Sequence, residues 1–254
     1  MKKTLKVKNL TIGEGTPKIC VSMTGKTLAE LREEATFLQK QELDIIEWRV
    51  DFFERVESIE MVQSALIEIR SFIPEIPLVF TFRTAKEGGE KELTKEAYYA
   101  LNKQIIESGL IDFVDIELFN DESDIKRLIE VAHSHQTLVI LSNHDFHKTP
   151  KVEEMVSRLR KAQELGGDLP KIAVMPKNSA DVLSLLEATL TMTEKYADRP
   201  IITISMAGKG LISRLAGEIF GSAITFGAVK KASAPGQVPV KELKDVLSLL
   251  HKNL

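Results

Sequence analysis

The sequence has little of several features that mark particular classes of protein. Its 254 residues include one cysteine, Cys20, so an internal disulfide framework is excluded. No apolar run approaches the roughly 20 residues of a membrane-spanning helix, so we expect no membrane partner. The basic start MKKTLKVKNL has no apolar stretch of roughly 7 to 15 residues behind it. We therefore expect no signal peptide and a cytoplasmic location.

Charge of one sign is not in excess either. The 34 Lys and Arg residues are spread among 37 Asp and Glu residues, and the formal net charge is −3. Because no basic stripe with interleaved aromatic residues is present, we expect no nucleic-acid partner. A hydrophobic content of 43% allows a sizeable core without disulfides. Small-molecule chemistry is the better expectation.

Short apolar segments typical of strands alternate with helical patterns along the chain. Strands that alternate with helices predict right-handed βαβ units and a parallel sheet. Eight such units in about 250 residues predict an α/β fold, a closed (β/α)8 TIM barrel, as one domain over residues 1–254. The segment VKNLTIGEG predicts a short N-terminal β-hairpin that closes the barrel floor. The predicted strands are KICVS, LDIIEWR, PLVFTFR, DFVDIEL, TLVILSNH, KIAVMP, PIITISM and SAITFG.

An open doubly wound sheet is the alternative fold. It is disfavoured because no G-x-G-x-x-G follows the first predicted strand. Helix boundaries are marked by capping residues and by glycines. The predicted starts are Thr27 with Glu30, Ser58, Thr149 with Pro150, and Asn178, and the predicted stops are Gly109 and Gly166.

Polar residues end most of the predicted strands. In a (β/α)8 barrel the active site lies at the carboxyl ends of the strands, so these residues are the candidates for a site. Glu47 and Arg49 are two positions apart and therefore on one face of their strand. The candidates are Ser22, Glu47, Arg49, Arg83, Glu87, Asp115, Glu117, Asn143, His144 and Met206.

Lys171 differs from these candidates because it opens an apolar predicted strand, in DLPKIAVMP. An ammonium group is almost never fully buried without a partner. The amine is expected deep in the barrel, rising past the small Ala173 toward the mouth. Burial, with like charge from Arg49, Arg83 or Arg214, would favour a neutral amine that can form a Schiff base with a ketone.

Such an imine needs a proton shuttle, because its formation and its hydrolysis both move protons. His144, in SNHDF, is the expected shuttle, since histidine titrates near neutral pH. Glu87 would orient the imidazole ring if its loop folds inward.

Several motifs together resemble those of the type I 3-dehydroquinate dehydratases of the shikimate pathway. They are SNHDF, DLPKIAVMP, ISRLAGEIFGSAITFG and SAPGQ, with FRTAKEGGE and IIEWRVD upstream. The resemblance runs over nearly the whole chain, with the motifs in the same order. It implies dehydration of 3-dehydroquinate to 3-dehydroshikimate, for aromatic amino acid biosynthesis. It also implies a barrel without metal or cofactor, usually a homodimer.

The resemblance also implies roles for individual residues. Lys171 would form the imine, His144 would act as base and acid, and Glu87 would be the partner of the histidine. Arg214 would bind the substrate carboxylate. The remaining substrate-binding residues would be Ser233 and Gln237 in a closing lid, Glu47, Arg49 and Arg83 at the ring hydroxyls, and Ser22 nearby. One departure is Ile204, where the family pattern leads us to expect methionine.

Three alternative functions stay open at this stage. A metal-dependent barrel enzyme could use the carboxylates and histidine at the mouth as ligands. A binding barrel without catalysis would use the arginines for an acidic ligand but would not need the deep lysine. A Schiff-base aldolase acting on sugar phosphates would need a phosphate pocket that the sequence does not clearly supply. The ligands of the metal alternative would be Glu47, Asp115, Glu117 and His144.

Overall fold

The computed structural model describes residues 4–229 and 235–254, in which eight parallel strands form a closed barrel. Each barrel strand pairs with the next along the chain, and β10 returns to pair with β3. A parallel bridge between Ile201 and Ser222 joins β9 to β10. The (β/α)8 prediction is therefore confirmed. The barrel strands are β3 (Lys18–Met23), β4 (Ile45–Arg49), β5 (Leu78–Thr81), β6 (Phe113–Glu117), β7 (Leu138–Asp145), β8 (Leu169–Val174), β9 (Ile202–Ser205) and β10 (Ile224–Ala228).

Helices cover the outside of the barrel and follow the strands in sequence. Within the described residues no helix has both the length and the apolar character needed to cross a membrane. A short strand, β11 (Val238–Pro239), extends the sheet beside β10. The helices are α1 (Leu28–Leu38), α2 (Ile59–Phe72), α3 (Lys95–Glu107), α4 (Glu122–Ser134), α5 (Val152–Glu164), α6 (Ser179–Lys195), α7 (Leu211–Leu215), α8 (Gly217–Phe220) and α9 (Val240–His251).

Most of the predicted helix boundaries agree with the structure. Ser58 and Asn178 are N-caps whose side chains accept backbone N–H bonds, and α3 and α5 end just before Gly109 and Gly166. Thr27 caps α1 in the same way.

The predicted start at Thr149 and Pro150 is wrong. Helix α5 begins at Val152, after Lys151, which makes no side-chain cap bond. The reason is a tertiary contact, because the Thr149 hydroxyl donates to the carbonyl of Met175 at 3.1 Å and is not available to the helix.

The lower part of the barrel interior is an apolar layer. Inward-facing side chains from the start of each barrel strand form one buried cluster, which the N-terminal hairpin joins. The hairpin consists of β1 (Leu5–Val7) and β2 (Leu10–Ile12), and Leu5 and Ile12 are buried in that cluster. The hairpin therefore closes the barrel floor as predicted. The strand residues of this floor are Cys20, Ile45, Val79, Phe113, Ile140, Leu169, Ile202 and Ile224.

Strand β8 starts earlier than the sequence pattern indicated. The prediction that Lys171 opens its strand is wrong, since the strand begins at Leu169 and continues through Pro170. Leu169 pairs with Ile140 and belongs to the apolar floor. Because side chains alternate along a strand, Lys171 is the next inward-facing residue, directly above the floor.

Three aspartates connect neighbouring strands at the lower end of the barrel. Each stands immediately before an even-numbered strand, and its carboxylate accepts the N–H of a residue at the start of the preceding strand. Buried N–H groups at the start of a strand need an acceptor where the backbone hydrogen bonds of the sheet begin, and the aspartates supply it. The bonds run from Ile19 to Asp44 at 2.7 Å, from Leu78 to Asp112 at 2.8 Å and from Val139 to Asp168 at 2.8 Å.

We expect Asp112→Ala to destabilise the fold by about 2 to 4 kcal/mol, because it leaves the Leu78 N–H and the partly buried Arg70 guanidinium without their anionic partner. The measurement is urea unfolding at pH 7. Asp121→Ala is the matched control, since Asp121 pairs with Lys95 on the exposed surface. That change should cost less than about 1 kcal/mol. Equal losses for the two variants would contradict the structural role of Asp112.

Candidate active site

One cavity of about 220 Å³ opens at the carboxyl ends of the barrel strands. It brings together residues from most of the barrel strands and from the loops above them. Of the ten residues predicted to have a catalytic or substrate-binding role, nine line it. Ser233, the exception, lies outside the described residues. The candidates Asp115, Glu117 and Asn143 do not line it. The predicted residues in the cavity wall are Ser22, Glu47, Arg49, Arg83, Glu87, His144, Lys171, Arg214 and Gln237.

Lys171 lies at the bottom of this cavity, with its side chain 4% exposed. Its Nζ donates to Asp115 Oδ2 at 3.0 Å and lies 3.9 Å from Glu47 Oε1. The ammonium also lies over the Phe226 ring, 4.8 Å from the centroid. The nearest charged groups are therefore carboxylates, whereas arginines were predicted to act on the amine. The carboxylates hold the amine in one position.

Asp115 is the centre of the charged layer, although it was predicted only as a candidate at the end of its strand and as a ligand of the metal alternative. The carboxylate is fully buried and accepts from Lys171, from Arg83 Nη2 at 2.8 Å and from the Ser142 hydroxyl at 2.6 Å. Burial alone would raise the pKa of Asp115, but Arg83 and Lys171 hold it below its ordinary value. Strand alternation predicts that Asp115 faces the barrel interior, because it is two residues after the inward-facing Phe113.

Arg83 is already neutralised by carboxylates of the barrel. Besides Asp115, it donates from Nη1 to Glu117 Oε1 at 3.0 Å, and the same nitrogen lies 3.7 Å from Glu87 Oε2. Burial would lower the pKa of Arg83, but the neighbouring carboxylates raise it well above its ordinary value. Arg49 is also paired, since it makes two bonds of 2.8 Å to Asp51.

His144 and Glu87 form a hydrogen-bonded pair at the edge of the cavity. His144 Nδ1 lies 2.9 Å from Glu87 Oε2, which also accepts the His144 backbone N–H at 2.9 Å. The loop of Glu87 folds inward, as the sequence analysis required, and is followed by Gly88 with φ +84°. A Cβ at Gly88 would lie 2.3 Å from the Phe146 ring, so only glycine fits there.

The pair shares a proton in an environment that disfavours charge. Burial raises the pKa of Glu87 to about 8, although Arg83 opposes this. Burial lowers the pKa of His144 well below its ordinary value, and the charges of Arg83 and Lys171 lower it further. When Glu87 is a carboxylate it accepts Nδ1–H, which leaves Nε2 of the ring unprotonated. His144 is then a base toward the cavity.

Arg214 differs from the other arginines because no carboxylate of the described residues lies within 4 Å of it. Its guanidinium is buried and, among the described residues, donates only to the carbonyls of Phe226 at 3.3 Å and Pro235 at 3.2 Å, while Nε has no partner among them. Burial lowers the pKa of Arg214 to about 10, so it is still a cation at neutral pH. A buried cation without an anion is costly, which indicates an anionic ligand.

Pro235 and Gly236 lie beside this arginine and beside Ala207. The carbonyl of Pro235 also accepts the Ala207 N–H at 3.1 Å. Gly236 has φ +78°, and a Cβ there would lie 2.3 Å from the Ala207 carbonyl oxygen. These two residues therefore approach the segment after β9 as closely as a glycine allows. Gln237 follows them and lines the cavity.

The described residues offer poor support for a metal centre. No three His, Cys, Asp or Glu side chains among them are grouped to hold an ion. The carboxylates that the metal alternative would use instead accept from cations and from hydroxyls. Asp115 accepts from Arg83 and Lys171, Glu117 from Arg83, and Glu47 from Ser22 and Thr81.

The buried amine, the histidine–carboxylate pair and Arg214 all lie at the carboxyl ends of the barrel strands, where enzymes with a (β/α)8 barrel have their active sites. A sequence model of the type I 3-dehydroquinase family matches residues 19–254. The chain therefore belongs to this family, whose members are hydro-lyases, and the resemblance seen in its motifs is confirmed.

Individual relatives are similar to the chain over all or nearly all of its length. The chain is 63% identical over 254 residues to a 3-dehydroquinate dehydratase of Bacillus licheniformis, covering 100% of both. It is 62% identical over 246 residues to one of Listeria welshimeri, covering 97% of each. A solved structure of a type I 3-dehydroquinate dehydratase from Clostridium difficile matches with a TM-score of 0.98 and 59% identity, over 100% of both chains.

We expect Asp115→Asn to change the pH dependence of stability. Because the folded structure lowers the pKa of Asp115, its contribution is present above the unfolded value of about 3.9 and is lost as pH falls below it. The variant should lose about 3 to 5 kcal/mol at pH 7, since two buried cations lose their shared anion. Urea unfolding between pH 7 and pH 2.5 measures both effects.

The wild type should therefore lose stability more steeply than Asp115→Asn below about pH 4. Asp121→Asn, at an exposed position, is the control and should follow the wild-type curve. Parallel curves for wild type and Asp115→Asn would contradict the assignment of Asp115 as a buried anion.

Proposed function

We propose that the chain converts 3-dehydroquinate to 3-dehydroshikimate and water through a Schiff base on Lys171, as a step of the shikimate pathway. The observation that carries this proposal is the placement of the Lys171 amine and the His144–Glu87 pair in one cavity of about 220 Å³. Membership of the type I 3-dehydroquinase family supports the substrate. Covalent chemistry is supported by the Clostridium difficile structure, which was solved with covalent modified comenic acid.

The proposed reaction begins when the Lys171 ammonium gives a proton to His144, and the neutral amine then attacks the ring ketone. His144 returns this proton to the departing hydroxyl of the carbinolamine. Loss of water gives a protonated imine, which withdraws electrons from the adjacent carbon. His144 then removes a proton from that carbon through Nε2, and the imine becomes an enamine. The enamine expels the β-hydroxyl group as His144 returns the proton to it, and hydrolysis by water releases the product and restores the amine.

Asp115 supports this sequence electrostatically. Its carboxylate lies 3.0 Å from Nζ, so it would remain beside the nitrogen when the cationic imine forms. A fixed anion at this distance in a buried site stabilises the imine more than water would. Arg83 and Ser142 prevent the carboxylate from rotating away, because both donate to Oδ1.

Arg214 would bind the substrate carboxylate. Such a charge-assisted contact contributes about 1.5 to 3 kcal/mol and satisfies a cation that the described residues leave without an anion. The carbonyl of Pro235 lies against the guanidinium, so closure of the loop and binding of the carboxylate would favour each other. The resemblance extends this contact to Gln237 and to Ser233.

The ring hydroxyls would lie on the opposite side of the cavity. Glu47 accepts from the Ser22 hydroxyl at 2.6 Å and from Thr81 at 3.0 Å, so it presents a fixed carboxylate. Arg83 already uses N–H groups for Glu117, Ser142 and Asp115, which leaves two of its five donors for a substrate. The ring-hydroxyl contacts that we propose are with Glu47, Arg49 and Arg83, with Ser22 nearby.

Other expectations from the sequence stay predictions. They are a single domain over residues 1–254, a homodimer, a cytoplasmic location, and catalysis without a metal or a cofactor.

Borohydride reduction tests the imine directly. With 3-dehydroquinate present, sodium borohydride should inactivate the enzyme and leave the mass of the reduced adduct on the peptide that contains Lys171. Without substrate, no adduct should form. Absorbance of the conjugated enone product gives the rate, and Lys171→Ala should lower it by at least about a thousandfold. Lys177→Ala, at an exposed position just beyond the same strand, is the control. Full activity of Lys171→Ala would overturn the mechanism.

Glu87→Gln should move the acid limb of the pH profile of kcat/KM to lower pH. In the wild type, His144 becomes a base only when the pair loses the proton that Glu87 holds below its raised pKa of about 8. Glutamine holds no such proton, and burial keeps the His144 pKa low. The maximal rate should fall about 10- to 100-fold, since the imidazolium loses its anion.

The matched control is Glu92→Gln, because Glu92 follows Glu87 in the same loop. Its profile should coincide with that of the wild type. An acid limb that stays in place in Glu87→Gln, or that moves to higher pH, would show that Glu87 does not hold the titrating proton.

A further inference from the structure

We infer that Arg158 is a positioning residue, which holds the Asn143 side-chain amide in the one orientation that favours the carboxylate form of Glu87 beside His144. This inference rests on the proposed function, in which the His144–Glu87 pair moves the protons. Asn143 was a candidate from its strand position without an assigned role, and Arg158 was not a candidate. Arg158 belongs to α5, on the outside of the barrel, and acts through Asn143 because none of its described contacts is with His144 or Glu87.

A chain of three hydrogen bonds connects the helix to the histidine. Arg158 Nη1 donates to Asn143 Oδ1 at 2.7 Å, and Asn143 Nδ2 donates to Glu87 Oε1 at 3.1 Å. The other Glu87 oxygen lies 2.9 Å from His144 Nδ1. Asn143 is 2% exposed, so its amide has little access to water as an alternative partner.

Strand alternation explains why Asn143 can reach outward while its neighbours face the cavity. Ser142 and His144 point into the barrel, where Ser142 contacts Asp115 and His144 lines the site. Asn143 lies between them on β7 and therefore points to the opposite face, toward α5. The alternation of side chains along β7 thus gives Glu87 one partner from each face of the strand.

The chemistry of the groups fixes the orientation of the amide. A guanidinium has only donors, so the Asn143 oxygen must face Arg158 and the NH₂ group must face Glu87. Without Arg158, the amide could rotate by half a turn and present its oxygen to Glu87 Oε1. Two facing acceptors are tolerated only if one carries a proton, so the rotated amide would favour protonated Glu87.

Protonated Glu87 would weaken the base of the site. Its proton would lie on Oε1 and be donated to Asn143 Oδ1, so Oε2 would face the ring as part of a neutral acid. The imidazolium that forms when Nε2 accepts a proton from the substrate would then lack the carboxylate that stabilises it. Arg158 therefore controls how readily the histidine becomes a base, without contact with the substrate.

Arg158 is held firmly in this position. Its guanidinium lies over the Phe119 ring, 5.3 Å from the centroid, and pairs with Glu154 one turn earlier. The side chain is 16% exposed. Arg160, two residues later on the same helix, points elsewhere, pairs with Glu164 and lies over the Tyr196 ring at 4.6 Å. Arg160 is therefore a matched control.

The pH dependence of kcat/KM tests this inference in four proteins: wild type, Arg158→Met, Arg158→Lys and Arg160→Met. In Arg158→Met the acid limb should move to higher pH by about one unit, so that activity falls roughly tenfold at pH 7 and much less at pH 9. Arg158→Lys can still donate to Asn143 and should restore most of the wild-type profile. Arg160→Met should coincide with the wild type.

A purely structural role of Arg158 gives a different result. Loosening of α5 would lower kcat at every pH and would leave the midpoint of the limb in place. That outcome, or an equal shift in Arg160→Met, would overturn the inference. Thermal unfolding of each variant establishes that the fold is retained.

NMR titration of the His144 ring in the free protein separates this inference from the proposed function. The signal is assigned with His144→Gln and followed in wild type, Arg158→Met and Arg160→Met. The titration should move to higher pH in Arg158→Met alone, and identical curves would overturn the role of Arg158. If the wild type fails to dehydrate 3-dehydroquinate, the proposed function fails, whereas the NMR result still decides the role of Arg158.

Discussion

The buried carboxylate of Asp115 is the interaction on which the rest of the site depends. The barrel floor is apolar, and the next inward layer contains two cations, Arg83 and Lys171, that have almost no contact with water. Burying such charges is possible only if anions lie beside them, since each unpaired ion costs several kcal/mol. Asp115 binds both cations at 2.8 and 3.0 Å and accepts from Ser142 as well. The same contacts that make the charges tolerable also fix the amine in space.

This arrangement divides the charged residues into two groups. Arg49 and Arg83 have their own carboxylates and serve as fixed parts of the wall. Arg214 has none among the described residues and is free to bind an anion from outside. His144 and Glu87 form an intermediate case, because burial favours their neutral forms while hydrogen bonds from Asn143 and the His144 backbone favour a carboxylate. A pair balanced in this way can exchange a proton at little energetic cost.

The sequence predicted the barrel and the position of the site because both follow from local patterns. Strand alternation and the repeated order of strand and helix identify the eight units, and the mouth follows from strand direction. Predictions of element boundaries were wrong where tertiary contacts determine the structure. Thr149 binds the carbonyl of Met175 and does not cap α5, and the strand of Lys171 extends back to Leu169 because that side chain completes the floor. Arg158 could not be assigned from sequence, because its contact with Asn143 depends on how α5 packs against the barrel.

The backbone beside Arg214 is strained, so two energetically unfavourable features, strain and a buried charge, lie together at the site. Ala207 has φ +57° and ψ 179°, a conformation that non-glycine residues rarely adopt, and it lies against Gly236. Such strain costs on the order of 1 to 3 kcal/mol and persists only where surrounding contacts determine it. Here those contacts are the Ala207 N–H and the Arg214 guanidinium, which bind the same carbonyl of Pro235. An anion on Arg214 would reduce the free-energy cost of burying the guanidinium. Binding of a carboxylate would therefore offset both the burial of this charge and the backbone strain at Ala207.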